Sequence, residues 1–197
     1  MNRIKSTVQS LQEIYAIVIA LAIAEAFIQF VPDPKSSCEQ AGIQWEQLLP
    51  LVSLLILVVP FYHGMTRFLS EMYQKGRVNN FYGVWLFLDC CVFTIEAVLF
   101  FILARSLPKV LWFRFYSTVM ALLVLDISWG MLTWCCRTSL IRFWVIVNLC
   151  TIPFLGVLLL MCRNSTSWWA ISLAFLLVLA RTIADYWTSW ELYFPKL

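Results

Sequence analysis

The stretch Trp168–Trp190, WWAISLAFLLVLARTIADYWTSW, decides what kind of protein this is. Ser172 is the one polar residue between Trp168 and Ala180. About 20 mainly apolar residues are what an α-helix needs to cross the hydrocarbon core of a bilayer. In lipid only a helix or a closed barrel satisfies every backbone group, and the run lacks the alternation of a barrel strand. It reads as a spanning helix. Yet it also holds Arg181 and Asp185, four residues apart and therefore on one helical face. An ionisable group at the bilayer centre costs about 2.5–3.5 kcal/mol on insertion scales, so both need a reason.

Five further runs upstream have the same character: Leu11–Val31, Leu48–Leu69, Tyr82–Ala104, Val110–Trp134 and Leu140–Cys162. Together with the sixth they predict an all-α integral membrane protein, a six-helix bundle forming one domain over 1–197. The punctuation fits. Pro32-Asp33-Pro34, Gly76 to Asn80, Ser106-Leu107-Pro108 and Arg163 to Thr166 separate the runs. Pro60 and Pro153 fall inside the second and fifth, where each removes a backbone donor and frees a carbonyl. No stretch is long enough for a soluble domain. The apolar run after Met1-Asn2-Arg3-Ile4-Lys5 contains Glu13 and Glu25 and lacks a small-residue cleavage site, so it reads as a retained anchor.

Composition agrees. Of 197 residues, 62% are hydrophobic and 13% charged, against roughly 25% charged in soluble domains; the mean hydropathy is +0.82. A net charge of +3 is too slight to point to nucleic acid. Six of the seven cysteines lie in or at the ends of apolar runs, which excludes a secreted disulfide framework. The vicinal pairs Cys90-Cys91 and Cys135-Cys136 lack the two-residue gap of zinc sites and read as small buried hydrophobes, with acylation of Cys135 or Cys136 as the alternative. Trp45, Tyr82, Trp85, Trp112, Trp134, Trp168, Trp169, Trp187, Trp190 and Tyr193 read as interfacial anchors.

Orientation follows from basic residues. With a cytoplasmic N-terminus, Arg3, Lys5, Arg67, Lys75, Arg77, Arg137, Arg142 and Lys196 lie inside, and Lys35, Arg105, Lys109, Arg114 and Arg163 outside. The excess predicts both termini in the cytoplasm. The Asn164-Ser165-Thr166 sequon would then face outward, too close to the bilayer for glycosylation.

Every span carries a strongly polar residue: Glu25, His63, Asp89 and Glu96, Asp126, Asn148, and Arg181 with Asp185. At about 1.5 Å of rise per residue, His63, Asp89, Asp126, Asn148, Arg181 and Asp185 fall between the midplane and the cytoplasmic surface. Glu96 lies near the middle and Glu25 beyond it. Arg181, Arg67 and one histidine cannot compensate the five carboxyls within the spans. Such groups either keep a proton or hold a mobile cation. The predicted ion or proton pathway is therefore Asp89, Asp126 and Asp185, organised by Arg181, with His63 as a relay and Glu96 and Glu25 as further members. A polar clamp between helices is the competing explanation.

Several chemistries are excluded. There is no glycine-rich phosphate loop, and Leu125 to Gly130 is not a nucleophile elbow. A single histidine cannot supply a bis-histidine haem, and the Gly-x-Gly-Asp pattern of intramembrane aspartyl proteases is missing. No enzymatic activity, cofactor or metal is expected. Six helices barely enclose an aqueous axis, so a homo-oligomer transporting protons or cations is the leading expectation. The alternative is a membrane scaffold or sensor subunit that docks a soluble cytoplasmic partner on Arg67 to Asn80, Cys136 to Arg142 and Trp187 to Leu197.

Overall fold

The structure, a computed structural model, describes residues 2–31, 45–74, 81–107, 111–136, 138, 141–163 and 168–194, the side chains of 2–4, 45–46, 74 and 192 excepted. Lys35, Cys38, Lys75, Arg77, Lys109, Arg137, Lys196, the sequon and the side chain of Trp45 lie outside the described residues. The described residues hold six long helices: α1 Asn2–Phe30, α2 Trp45–Leu69, α3 Tyr82–Arg105, α4 Trp112–Cys136, α5 Arg142–Met161 and α6 Trp168–Thr188. A π-helical turn, Ser70–Gln74, extends α2, and a short α7, Trp190–Tyr193, follows α6. All six long helices are apolar enough to cross a membrane. The spans expected from sequence match to within a few residues, except that α1 starts nine residues earlier, through a polar, amphipathic stretch.

Neighbouring helices form a closed ring in the order α1, α3, α4, α5, α6, α2. The ring is not hollow, because α2 leans into it and touches all the others. Phe61 meets Phe100 of α3 and Trp144 of α5 edge-on, with ring centroids 5.5 and 6.3 Å apart. Phe68 meets Trp129 of α4 at 4.8 Å, and Tyr62 stacks on Tyr15 of α1 at 6.2 Å. His63 lies against Tyr186 of α6. Leu54, Leu57, Phe61 and Phe68 are fully buried. Lipid tails are as apolar as these side chains, so close packing holds the helices together in place of water exclusion. Edge-to-face aromatic pairs add about 0.5–1.5 kcal/mol each beyond their area.

α1 packs on α3 through Val8, Tyr15, Ile19, Ala22 and Ala26, a stripe with coiled-coil spacing, while Ile14, Ile17, Leu21 and Ile28 face outward. α2 runs unbroken through Pro60 and α5 through Pro153. The start of α1, the ends of α2, α4 and α6, and the starts of α3 and α5 gather at one end, here termed the near end. Gln12 Nε2 donates to the carbonyl of Thr66 there, at 3.0 Å.

Two sequence expectations are corrected. Trp112 and Tyr193 are buried core residues, not interfacial anchors, as are Trp129 and Trp144; the centre of this bundle is built from rings. Cys91, Cys135 and Cys136 are exposed on the outer face and Cys90 is half-buried, so the vicinal pairs are not core hydrophobes.

α4 and α5 approach closely at Gly130, where an added Cβ would stand 2.6 Å from Cγ2 of Val145. Valine has one favoured rotamer in a helix and cannot swing aside. Gly130→Ala should therefore cost about 1–3 kcal/mol by overpacking. A thermal melt in detergent should show a lowered midpoint, recovered by adding Val145→Ala.

Candidate functional site

The buried ionisable side chains converge toward the near-end half. Asp89, Glu96, Asp126 and Asp185 are at most 2% exposed and Arg181 is 3% exposed. Distances along the helices, at about 1.5 Å per residue, set their depths. Asp185 lies roughly 5 Å from the near end, Asn148 and Arg181 about 10 Å, Asp126 about 15 Å and Glu96 about 21 Å.

Arg181 is the junction. Its Nε donates to Asn148 Oδ1 at 2.8 Å. Its Nη1 lies 3.3 Å from Asp185 Oδ2, the pair expected from their four-residue spacing. Its guanidinium carbon sits 5.1 Å from the ring centre of Phe61, a cation–π contact with the central helix. Asn148 is the adapter between unlike groups: its carbonyl accepts from Arg181 while its amide donates to Asp126 Oδ2. Those two partners fix which way the amide is turned, because a carboxylate needs a donor and a guanidinium an acceptor. Asp185 Oδ2 also accepts from Tyr193 Oη at 2.9 Å.

Asp126 and Glu96 lie within electrostatic reach of each other, and Glu96 Oε2 accepts from Tyr15 Oη of α1 at 3.3 Å. Polar contacts thus join Tyr15 on α1 to Glu96 on α3 and, separately, run from Asp126 on α4 through Asn148 on α5 and Arg181 and Asp185 on α6 to Tyr193 on α7. The ring of Tyr193 stands 5.0 Å from that of His63 on α2, so every helix of the bundle contributes.

Several of these atoms make no hydrogen bond. Among the described residues, Glu96 Oε1, Asp185 Oδ1 and Arg181 Nη2 are buried without a hydrogen-bond partner, and Arg181 Nη1 has only its 3.3 Å approach to Asp185. Each such atom costs about 1–3 kcal/mol. A clamp that served packing alone would do better with its atoms satisfied or replaced by apolar groups. Spare donors and spare acceptors sit on the same few residues, and that gives the cluster capacity to take up water, a proton or a small cation.

The other sequence candidates fall elsewhere. Asp89 forms an adjoining site: Oδ2 accepts from Tyr73 Oη of the π-helical turn at 2.5 Å, and Oδ1 from Trp129 Nε1 at 2.9 Å. The pair Trp129 and Trp144, with ring centres 5.7 Å apart, separates it from Asp126. Glu25 is far from the cluster, at the opposite end, where Oε1 accepts from Gln29 at 3.0 Å and lies 3.6 Å from Arg105 Nε. His63 is half-buried with long contacts of 3.5 Å to Arg67 and to Tyr186. Sequence reasoning missed Tyr15, Tyr73 and Tyr193, the phenols that donate to the buried acids. Tyr15 was detectable by depth, standing about 20 Å from the near end, level with Glu96. No group of three or more His, Cys, Asp or Glu placed to hold a metal ion occurs among the described residues.

Comparison with protein-family models, with curated proteins and with solved structures found no match to this chain.

Removing one partner of a buried pair strands the other's charge, at about 3–5 kcal/mol. Arg181→Met should show that loss as a lowered melting midpoint in detergent. Arg181→Met combined with Asp185→Leu should recover a substantial part of it, since the stranded carboxyl goes too.

Proposed function

We propose that this chain moves protons or small cations across a membrane through a gated, transporter-like pathway whose working site is Glu96, Asp126, Asn148, Arg181 and Asp185. One observation carries the reading: four carboxyls at most 2% exposed share the interior with a single buried guanidinium, Arg181. Full ionisation would leave three net negative charges in a low-dielectric core, which no packing contact offsets. Some of those carboxyls must carry a proton or a bound cation, and Glu96, whose Oε1 is buried without a hydrogen-bond partner and whose neighbours include no cation, is the place for it.

The site reaches from roughly 5 Å to roughly 21 Å below the near end, about half the thickness of a hydrocarbon core. Beyond Glu96 come Ala97, Phe100, Leu103, Phe115, Val119 and Leu122, all buried and apolar. A half-length polar track that stops at an apolar layer suits gated access better than an open pore, and α2 filling the ring points the same way. Transfer between side chains needs no aqueous axis, so this reading does not require a second copy of the chain. The excess of basic residues at the near end supports a cytoplasmic position for that end.

A scaffold that docks a soluble partner on the C-terminal segment fits the packing less well. Tyr193 points inward, and the exposed rings of Trp187, Trp190 and Phe194 suit a headgroup-level anchor.

Reconstitution in liposomes, with a pH- or cation-sensitive dye inside, tests the proposal. Wild type should dissipate an imposed gradient. Asp126→Asn, which keeps the shape of the side chain but cannot exchange a proton, should lower the rate at least about 100-fold, the lower end of what a positioned proton-transfer group contributes. Folded wild-type protein that moves neither protons nor cations would remove the reading.

A further inference from the structure

The chain ends in a feature the spans do not need. α6 stops at Thr188, the helix is interrupted at Ser189, and α7 resumes for a single turn. Along that turn the exposures diverge. Trp187 is 83% exposed and Trp190 58%, while Tyr193 is completely buried. Its phenol reaches Asp185 Oδ2 at 2.9 Å, and its ring lies 4.5 Å from Tyr186 and 5.0 Å from His63. Gly64 lies directly against it: an added Cβ there would stand in ordinary contact, 3.4 Å from Tyr193 Oη. The depth scale puts Asp185 closest to the near end of all the cluster acids, and Tyr193 covers it from that side.

The attachment is slender. α7 has four residues, and a single helical turn has no stability of its own in water. What holds it is Tyr193, through one hydrogen bond to a carboxylate and contacts with two rings, with Phe194 against the same two rings at 5.5 Å from His63 and 6.4 Å from Tyr186. Burial, and next the charge of Asp185, push the Tyr193 phenol well above its ordinary range, so it stays protonated and a donor. Segments with few buried contacts open at low free-energy cost.

We infer that α7 is a removable cap on the near-end mouth of the buried cluster, with Tyr193 as its stopper and Trp187, Trp190 and Phe194 as anchors in the membrane interface. Docked, the cap keeps water from Asp185 and Arg181; lifted, it opens them to the aqueous side. The cap follows from packing alone, and only its effect on transport rests on the function proposed above.

The test separates the two. In full-length protein with its seven cysteines replaced by serine or alanine, Ser189→Cys introduces a thiol at a position 5% exposed beneath the cap. Its reaction with a charged, membrane-impermeant methanethiosulfonate is timed in liposomes. Tyr193→Phe loses the hydrogen bond to Asp185 and keeps the ring, so labelling should quicken about tenfold. Tyr193→Ala should quicken it further. If Tyr193→Ala does not fold, Tyr193→Phe decides alone. A labelling rate unchanged by Tyr193→Phe, or already that of a free thiol with Tyr193 in place, overturns the cap. Faster labelling together with faster ion flux makes the cap a gate. Faster labelling with no flux in any variant leaves the cap standing and removes the transport reading.

Discussion

A guanidinium that cannot reach water governs this structure. Arg181 has its side chain 1% exposed and does not lose its charge in any protein environment. The bundle has to bring acceptors to it, and these come from two helices: Asn148 from α5 and Asp185 from α6, with the face of Phe61 on α2 closing the third side. Neither Asp126 nor Tyr193 touches Arg181 by a hydrogen bond, yet both are oriented by groups that do. The register of α5 against α6, the inward lean of α2 and the docking of α7 are thus linked through one side chain. In a lipid environment, where apolar packing discriminates weakly between alternative helix arrangements, such a polar junction specifies one of them.

Specification does not account for everything the cluster contains. One carboxylate would neutralise Arg181, and Asp185 is already there on the same helical face. Asp126 and Glu96 add two further buried acids with no cation of their own, close enough to oppose each other. Holding both as anions would work against the fold, and replacing both by asparagine and glutamine would relieve it. A sequence that keeps them carries a cost that stability does not explain, and functional sites are where such costs are usually found.

The positions of the spans were legible in the sequence, because length and hydropathy alone decide whether a helix crosses a bilayer. The clustering of Asp126, Asn148, Arg181 and Asp185 was legible too, from depth along each helix. Which way the helices turn was not. In a soluble helix the apolar stripe marks the inside, but a spanning helix is apolar all round, so nothing marked α2 as central or Trp112, Trp129 and Trp144 as core. Asp89 and Asp126 share a depth but not a site, since Trp129 and Trp144 stand between them. Hydropathy also hid the start of α1, whose first turns are helical but polar. Tyr193 read as an interfacial ring because composition carries no sign of the break at Ser189 that brings it against Asp185.

The distribution of polarity along the bundle axis bears on mechanism more than any single contact. The near-end half holds the acids, Arg181, Asn148, the phenols and the π-helical turn. In the far half the buried polar side chains among the described residues are few: the Ser53–Tyr116 hydroxyl pair at 3.1 Å, Gln47 and Ser106, with the ion pair of Glu25 and Arg105 at the rim. A proton or cation reaching Glu96 from the near end meets Phe100 and Leu103 next, with no polar side chain to receive it. Passage therefore requires a helix to move, and α2 is placed to do so: it carries Phe61 under Arg181, Pro60 beside it without a backbone donor, and Gly64 beneath Tyr193. A small rotation of α2 about Pro60 would loosen the guanidinium and the terminal cap together. Under the transport proposed above, that would couple entry at the near end to release at the centre through one helix.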